Sequence, residues 1–539
     1  MEPTHEERLI LPRQFLRVCR AQKKVLKVVD STGIKLTGEQ LLLRTLIVRR
    51  LLGRILGADE KFVGLLLPPS VPAVVANAAI PLLGRVAVNL NYTVSSAIMK
   101  SCIAQCNIRH VLTSRRVLEK FKFEFDDNVK LVYLEDFKEQ IRWTDKVVAA
   151  TQAFVTPLGI LERQFGLTKI GGEDLMTVIF TSGSTGEPKG VMLSHNNVGS
   201  NVAAVNEIVQ LRASDTLLGI LPFFHAFGFT VTLWTVLSLP PKGAYHFSPL
   251  DAHIVGKLCR ENGGTILIGT PTFLRTYLRR CGPEDFKTLD VVFTGAEKLP
   301  RELADAFEAK FGVRPNEGYG ATETSPVAAG NIPATRTARA DGPSHRDGSV
   351  GRPIPGLEAK VINPDTSADL PTDTPGMLLL KGPAIMQGYL NKPEQTAKVI
   401  RDGWYVTGDI AKIDADGFIQ ITDRASRFSK IGGEMVPHIR VEELLQKLLT
   451  KPGEDEGELR AVVTAVPDER KGERLIVVHT VKDLAPEQIC KSLSEHGLPN
   501  LFIPSPDSFL LVEEIPHLGT GKVDLKGLKQ LALEKFGGK

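Results

Sequence analysis

Phe180-Thr181-Ser182-Gly183-Ser184-Thr185-Gly186-Glu187-Pro188-Lys189-Gly190 follows directly on the strand-like run 176–179. The glycines let the backbone curl, the N–H groups and hydroxyls form a dense set of donors, and Lys189 adds a cation, which together suit a polyphosphate. It is not the Walker A arrangement, because counting from Gly183 the Gly-Lys pair of that motif is absent. A bare Ser/Gly loop would be a linker; the lysine and the preceding strand set this one apart.

Working outward, apolar strand-like runs at 63–67, 177–181, 265–268 and 291–293 alternate with helical stretches at 39–56 and 301–310. That alternation is the pattern of parallel sheets covered by helices, an α/β fold. From about Ser349 the texture changes to short strands with turn signals at Gly376, Gly382, Gly388, Asp402-Gly403 and Asp416-Gly417, a barrel-like segment over about 349–424. Mixed helix and strand then run to a Gly-Thr-Gly-Lys tetrapeptide. The expected organisation is a large domain, 1–424, and a small α+β domain, 425–539.

The 539 residues allow two to four domains. With 42% hydrophobic and 24% charged residues, disorder, collagen and coiled coil are excluded. Sixty-six basic against 62 acidic residues leave a net charge of +4, too balanced for a dedicated nucleic-acid binder. Six scattered cysteines form neither a disulfide framework nor a zinc set, and the charged N-terminus lacks a signal-peptide core, so a cytoplasmic location is expected. Two long uncharged stretches, 62–84 and 216–241, are broken by Pro68, Pro69, Pro72, Pro81, Pro222 and Gly228. Each reads as a buried strand, a turn and a core helix, because prolines interrupt a continuous span. Segment 8–27, with seven basic and no acidic residues, and segment 41–56, with Arg44, Arg49, Arg50 and Arg54, could meet an anionic bilayer at the inner face of the membrane. The bland reading is two amphipathic helices packed on the large domain.

The phosphate loop, read with Gly318-Tyr319-Gly320-Ala321-Thr322-Glu323-Thr324, Trp404-Tyr405-Val406-Thr407-Gly408-Asp409 and Gly519-Thr520-Gly521-Lys522, resembles the acyl-adenylate-forming superfamily, from about Asp30 to Lys522. Within it, stretches 430–436, 295–299 and 221–228 look most like the acyl-carrier-protein synthetase portion of the bifunctional 2-acylglycerophosphoethanolamine acyltransferase. The resemblance implies a large domain of two parallel sheets with covering helices and a distorted β-barrel, then a small mobile domain carrying a catalytic lysine. It implies ATP and Mg²⁺ as cofactors and a fatty acid as substrate. Acyl-carrier protein is expected as the acceptor, with CoA as the alternative.

By the same resemblance, Thr181, Ser182, Gly183, Ser184, Thr185, Gly186 and Lys189 wrap the β- and γ-phosphates, while Thr322 and Glu323 sit at the α-phosphate, Glu323 holding Mg²⁺. Tyr319, between Gly318 and Gly320, lies along adenine, with Gly295, Ala296 and Glu297 on its other side. Asp409 accepts the ribose hydroxyls and Arg424 contacts ribose or phosphate. Lys522 bridges the substrate carboxylate and the α-phosphate, where charge develops. His225 gates the path between carboxylate and nucleotide. Gly269, Thr270 and Pro271 border the acyl pocket, and Gly432 and Gly433 line the pantetheine tunnel.

The chain departs from the family pattern at the hinge, where Ser426 replaces an acidic residue or lysine, and at His438 and Arg440. Arg427, Lys430 and Arg440 make that edge basic, although residues 425–539 carry 16 basic and 18 acidic side chains. His246 and Asp251 match the H-x-x-x-x-D spacing of glycerolipid acyltransferases, without its companion block, and are read as chance. The rivals are an aryl or short-acid ligase, and a binding protein on a decayed adenylation fold.

Overall fold

The computed structural model describes residues 9–537 except 182–186, 334, 338–342, 425–426, 432–433, 451–458, 469–470, 497 and 518–522. The chain divides into two units. One holds the described residues up to Lys360 with Leu379–Val406 and Ile413–Gln420; the other holds Val361–Leu378, Thr407–Lys412 and the chain from Ile421 on.

The first unit is built on two sheets. A seven-stranded sheet runs Gly388–Tyr389, Lys189–Ser194, Leu175–Thr181, Val86–Asn89, Phe62–Leu65, His110–Thr113, Lys130–Tyr133. A nine-stranded sheet runs Arg352–Pro353, Val327–Gly330, Pro315–Gly320, Val291–Thr294, Ile266–Gly269, Thr216–Gly219, Lys242–Tyr245, Leu26–Asp30, Lys35–Thr37. Their centres are parallel, as the alternation of runs predicts, but their edges are antiparallel. Short connections account for the pairs 26–30 with 35–37, 175–181 with 189–194 and 315–320 with 327–330: two antiparallel strands close with a hairpin, whereas parallel ones need a crossover. Within 349–424 the strands Glu358–Ile362, Gly376–Lys381, Trp404–Ile413 and Ile400–Arg401 form a further sheet, with Ile419–Arg424 pairing to Trp404–Ile413.

The long uncharged stretches resolve as the prolines dictate. Phe62–Leu65 is a buried strand, and Ser70 caps the helix Val71–Ala79 by accepting from the Ala73 N–H. Thr216–Gly219 is a buried strand, and the helix after it is a π-helix, Phe227–Trp234. Among the described residues no helix is long and apolar enough to cross a membrane. The basic N-terminal helices turn their charge inward. In the helix Leu11–Ala21, Phe15, Leu16 and Cys19 are buried, Arg13 and Arg17 both bond Glu162, and Arg20 donates to the carbonyls of Gln152 and Thr156. In Gly38–Ile55, Arg50 and Arg54 bond Asp145 and Arg49 stacks on Phe165. Of the arginines that suggested a bilayer face, Arg13, Arg17, Arg20, Arg49, Arg50 and Arg54 thus have partners within the protein, while Arg44 is exposed.

Lys27, on the strand Leu26–Asp30, is fully buried and donates to the carbonyls of Leu239 and Pro241, the latter at 2.7 Å. Burial pulls its ammonium down to about 7, against about 10.4 in an unfolded chain. Between those values the unfolded state binds more protons, so stability rises with pH. We expect the denaturation midpoint to climb from pH 7 to 8.5 at up to about 1.4 kcal/mol per pH unit, and Lys27→Met to flatten that slope. Above about pH 8.5 the buried thiol of Cys19, pushed up to about 12, adds the opposite sign and closes the window.

The second unit carries an antiparallel sheet, Glu434–Pro437, Phe428–Ile431, Gly472–His479, Ala461–Asp468, joined in parallel by Phe509–Leu511. Strand alternation splits its core between two faces. Val463, Leu475 and Val477 pack with Val441 and Leu445 of His438–Leu449 and Leu493 of Pro486–Glu495. Val462, Val466, Ile476 and Val478 pack with Leu528 and Ala532 of Leu525–Phe536. Each such fully buried aliphatic contributes roughly 1.5–3 kcal/mol, so both faces are needed. The result is the α/β fold with a smaller α+β domain that the resemblance implies.

Candidate functional site

Three neighbouring parallel strands set the frame. Ile266–Gly269, Val291–Thr294 and Pro315–Gly320 are paired so that Gly269 lies opposite Thr294 and Thr294 opposite Glu317. Their carboxyl ends are thereby level, and Gly269-Thr270-Pro271, Gly295-Ala296-Glu297 and Gly318-Tyr319-Gly320 emerge side by side, where open α/β sheets bind ligands.

The backbone at these ends is close-set. Gly295 donates to the Gly269 carbonyl at 3.3 Å, and a Cβ on it would lie 3.5 Å from the Phe227 ring and 3.6 Å from the Gly318 carbonyl oxygen. At Gly320 a Cβ would come within 2.0 Å of the Pro326 oxygen, so no side chain fits. Ala296 adopts φ +69°, which turns the chain away from the strand. Glu297 receives hydrogen bonds from the Thr272 N–H and hydroxyl, at 3.3 and 2.8 Å, and so faces the start of the helix Pro271–Arg280, capped by Thr270. Glu317 is a group that motif reading missed. Burial pushes its carboxyl up to about 7, although it accepts the Leu299 N–H.

The phosphate loop closes an antiparallel hairpin, with Thr181 opposite Lys189. Residues 182–186 lie outside the described residues, but both ends of the loop are described. Lys189 Nζ stands 4.9 Å from the centroid of the Tyr389 ring, and the Tyr389 hydroxyl donates to Glu323 Oε1 at 2.8 Å. The loop's lysine and the predicted metal-binding glutamate thus share one aromatic residue. Tyr389 is only 5% exposed, and burial, reinforced by the Glu323 charge and hydrogen bond, pushes its pKa further up, keeping the phenol a donor. Glu187 and Lys392 form an ion pair at 2.6 Å beside the loop.

Glu323 itself sits on the 3₁₀ turn Thr322–Thr324, held from three sides. Its carbonyl accepts from the Met386 N–H at 2.9 Å. Asn201, inside the helix His195–Val209, donates to the carbonyls of Thr324 and Val327. Ser325 leaves the turn at φ +68° and its hydroxyl donates to the Ala384 carbonyl at 2.8 Å. Thr324 is buried, while Thr322 and Glu323 remain half-buried and able to meet a ligand.

His225 is exposed, its ring 4.6 Å from that of Phe224, and its carbonyl accepts the Phe229 N–H at the mouth of the π-helix. π-Turns concentrate at functional sites, which suits a gating residue. Asp409, on Trp404–Ile413, belongs to the second unit; its N–H donates to the Thr407 hydroxyl at 3.0 Å, and Gly408 beside it has φ +77°. Arg424 ends the strand Ile419–Arg424, with its side chain outside the described part of the structure. Ser426, Gly432, Gly433 and Lys522 also lie outside the described residues.

His246 and Asp251 do meet, at 3.0 Å, and Ser31 Oγ lies 2.7 Å from the other ring nitrogen. Around this row the backbone donors are already bonded. The N–H groups of Ser31, Thr32 and Gly33 are given to Tyr245 and Asp30, and an oxyanion would need them. His438 is buried with Ser429 Oγ at 2.7 Å, and burial pulls it down to about 3, so it stays neutral and packs the small domain.

Comparison with known proteins completes the picture. The chain is 32% identical over 364 residues to the long-chain-fatty-acid–CoA ligase of Bacillus subtilis (strain 168), covering 65% of this chain and 60% of that one. It is 31% identical over 376 residues to the medium-chain-fatty-acid–CoA ligase of Ectopseudomonas oleovorans, covering 67% and 65%. The matches thus span less than two thirds of either relative's length. The ATP-bound MatB of Rhodopseudomonas palustris superposes with a TM-score of 0.78 at 24% identity over 97% of this chain and 99% of that one, a likeness of fold. The AMP-binding enzyme profile matches residues 15–390, a span that contains the hairpin, the three strand ends, Glu323 and Tyr389, and the chain belongs to the AMP-binding enzyme family.

Proposed function

We propose that the protein is an AMP-forming acid–thiol ligase that joins a medium- or long-chain fatty acid to CoA. The observation that carries the reading is the assembly of Lys189, Tyr389 and Glu323 into one network at the mouth of the phosphate hairpin. In the first half-reaction a carboxylate oxygen attacks the α-phosphorus of ATP and pyrophosphate leaves. In the second, a thiolate attacks the acyl carbon and AMP leaves.

Lys189 and the loop donors balance charge on the departing phosphates. Gly295 and Gly318–Gly320 leave a backbone-lined slot for adenine, with Tyr319 as its flat wall. Glu323 with Thr322 offers an oxygen donor set, the kind Mg²⁺ takes when it is shared with substrate phosphates; bound there, the ion would neutralise phosphate charge. Asp409 and Arg424 would take the ribose, Lys522 the developing charge at the α-phosphorus, His225 the carboxylate path, and Gly432 and Gly433 the pantetheine arm. Domain rotation at Ser426 between the half-reactions belongs to the same reading.

The acceptor changes from the expectation. Both relatives are named CoA ligases, and Arg427, one of three cations expected to meet an acidic carrier protein, is ion-paired with Glu442. CoA therefore displaces acyl-carrier protein as the first acceptor. Acid-dependent pyrophosphate exchange, screened from butanoate to stearate with a hydroxycinnamic acid alongside, tests the substrate class. We expect exchange with the longer fatty acids and thioester formation with CoA at least about tenfold faster than with carrier protein, about 1.4 kcal/mol. Exchange with the aryl acid alone would make this an aryl ligase; no exchange with any acid would leave a binding protein.

A further inference from the structure

The helix Trp143–Phe154 is mounted inside out. Trp143, Val147, Ala150 and Phe154 recur at the spacing of a buried stripe. Yet the residues it buries are Asp145, Ala149 and Ala153. Trp143 is 74% exposed, Val147 52% and Phe154 45%, and Val155 and Ile160 continue the surface at 74% and 47%. Five of the eleven exposed large hydrophobic residues among those described thus fall in eighteen consecutive positions.

The charge around this face is one-sided. Two of the three acids in 138–164 are buried: Asp145 is taken by Arg50 and Arg54, Glu162 by Arg13 and Arg17. What remains exposed is Lys138, Arg142, Lys146 and Arg163 against Glu139 alone. The arginine-rich helices that looked like a membrane face in the sequence serve instead to strip acids from the face beside them.

We propose that this surface, formed by Trp143–Phe154 and the neighbouring Leu158–Gln164, docks onto an anionic lipid bilayer. Aromatic and aliphatic side chains ringed by lysine and arginine are what an interfacial element presents to acidic headgroups. Lys146 and Arg142 flank the apolar stripe of the helix, where acidic headgroups would meet them. Taken with the proposed fatty-acid reading, on which this part of the argument rests, docking would place the enzyme where its apolar substrate partitions.

Full-length protein is titrated with vesicles of phosphatidylcholine alone and of phosphatidylcholine with phosphatidylglycerol, following sedimentation and tryptophan emission. We expect binding to the anionic vesicles, a blue shift that Trp143→Phe removes, and weakening by salt. The triple variant Trp143→Ser, Val147→Ser, Phe154→Ser should lose affinity at least about tenfold, as should Lys138→Glu, Arg142→Glu, Lys146→Glu. Both should keep pyrophosphate exchange on octanoate, a soluble acid, which separates failure of docking from failure of the catalytic reading. Equal binding to neutral vesicles, or no binding to either, overturns the proposal. A concentration-dependent dimer that the serine variant abolishes, without vesicle binding, would assign the face to a second copy of the chain.

Discussion

Replacing Lys522 with alanine should lower acid-dependent pyrophosphate exchange by about a thousandfold and leave transfer from pre-made acyl-adenylate within about threefold of wild type. In the Gly519-Thr520-Gly521-Lys522 tetrapeptide a cation follows three residues with little side-chain bulk. In the proposed reading its charge is needed only while the carboxylate and the α-phosphate approach and negative charge accumulates between them. Losing an interaction made only in that transition state lowers kcat without lowering substrate affinity. Measuring the half-reactions separately decides the matter. Equal losses in both would make Lys522 a residue of the fold or of nucleotide binding in general. Retention of exchange would remove it from the chemistry altogether.

The sequence carries the frame of the site well because backbone requirements leave a mark in single residues. Gly320 stands where the chain approaches the Pro326 carbonyl too closely for a side chain, and such positions can be read as clusters of glycine before any fold is known. Strand alternation in 461–466 and 475–478 likewise states that both faces of the small sheet are covered. Contacts across long separations leave no such mark. Tyr389 lies 66 positions from Glu323 and 200 from Lys189, and nothing in Gly388-Tyr389 distinguishes it from a core aromatic. Its short strand joins the hairpin because Gly388 pairs with Met192 and Tyr389 with Val191.

Charge was the least legible property. A run of arginines shows its sign but not its partners, so Arg13, Arg17, Arg50 and Arg54 read as a surface while each bonds a buried acid. Periodicity has the same blind spot: the spacing of Trp143, Val147 and Phe154 defines a face, and only the packing of Trp143–Phe154 against Gly38–Ile55 shows which face is inside. The basic edge at 427–440 is thinned for a related reason, although Arg440 remains exposed. Arg427 pairs with Glu442, fifteen residues on, and Arg440 lies 5.7 Å from the Phe502 ring centroid.

Glu323→Gln should reduce pyrophosphate exchange by at least about a hundredfold, and Tyr389→Phe by about tenfold, with the double variant falling well short of the product of the two. A hydrogen bond to a charged carboxylate contributes about 1.5–3 kcal/mol, and the phenol that makes this one is buried and held protonated. Phenylalanine keeps the ring under Lys189 and removes only the hydroxyl, so the loss isolates the orientation of Glu323. In the Glu323→Gln background the hydroxyl still has an amide oxygen to bond but no charge to direct, and its removal should then cost little. Direct binding supplies the independent readout: Mn²⁺ titrated with a non-hydrolysable ATP analogue, followed by electron paramagnetic resonance, should bind more weakly to both single variants. Tyr389→Leu, which also removes the ring face 4.9 Å from Lys189, should raise the KM for ATP where Tyr389→Phe does not. If Tyr389→Phe leaves exchange and Mn²⁺ affinity unchanged, the hydrogen bond at 2.8 Å packs the turn and does not aim the carboxylate.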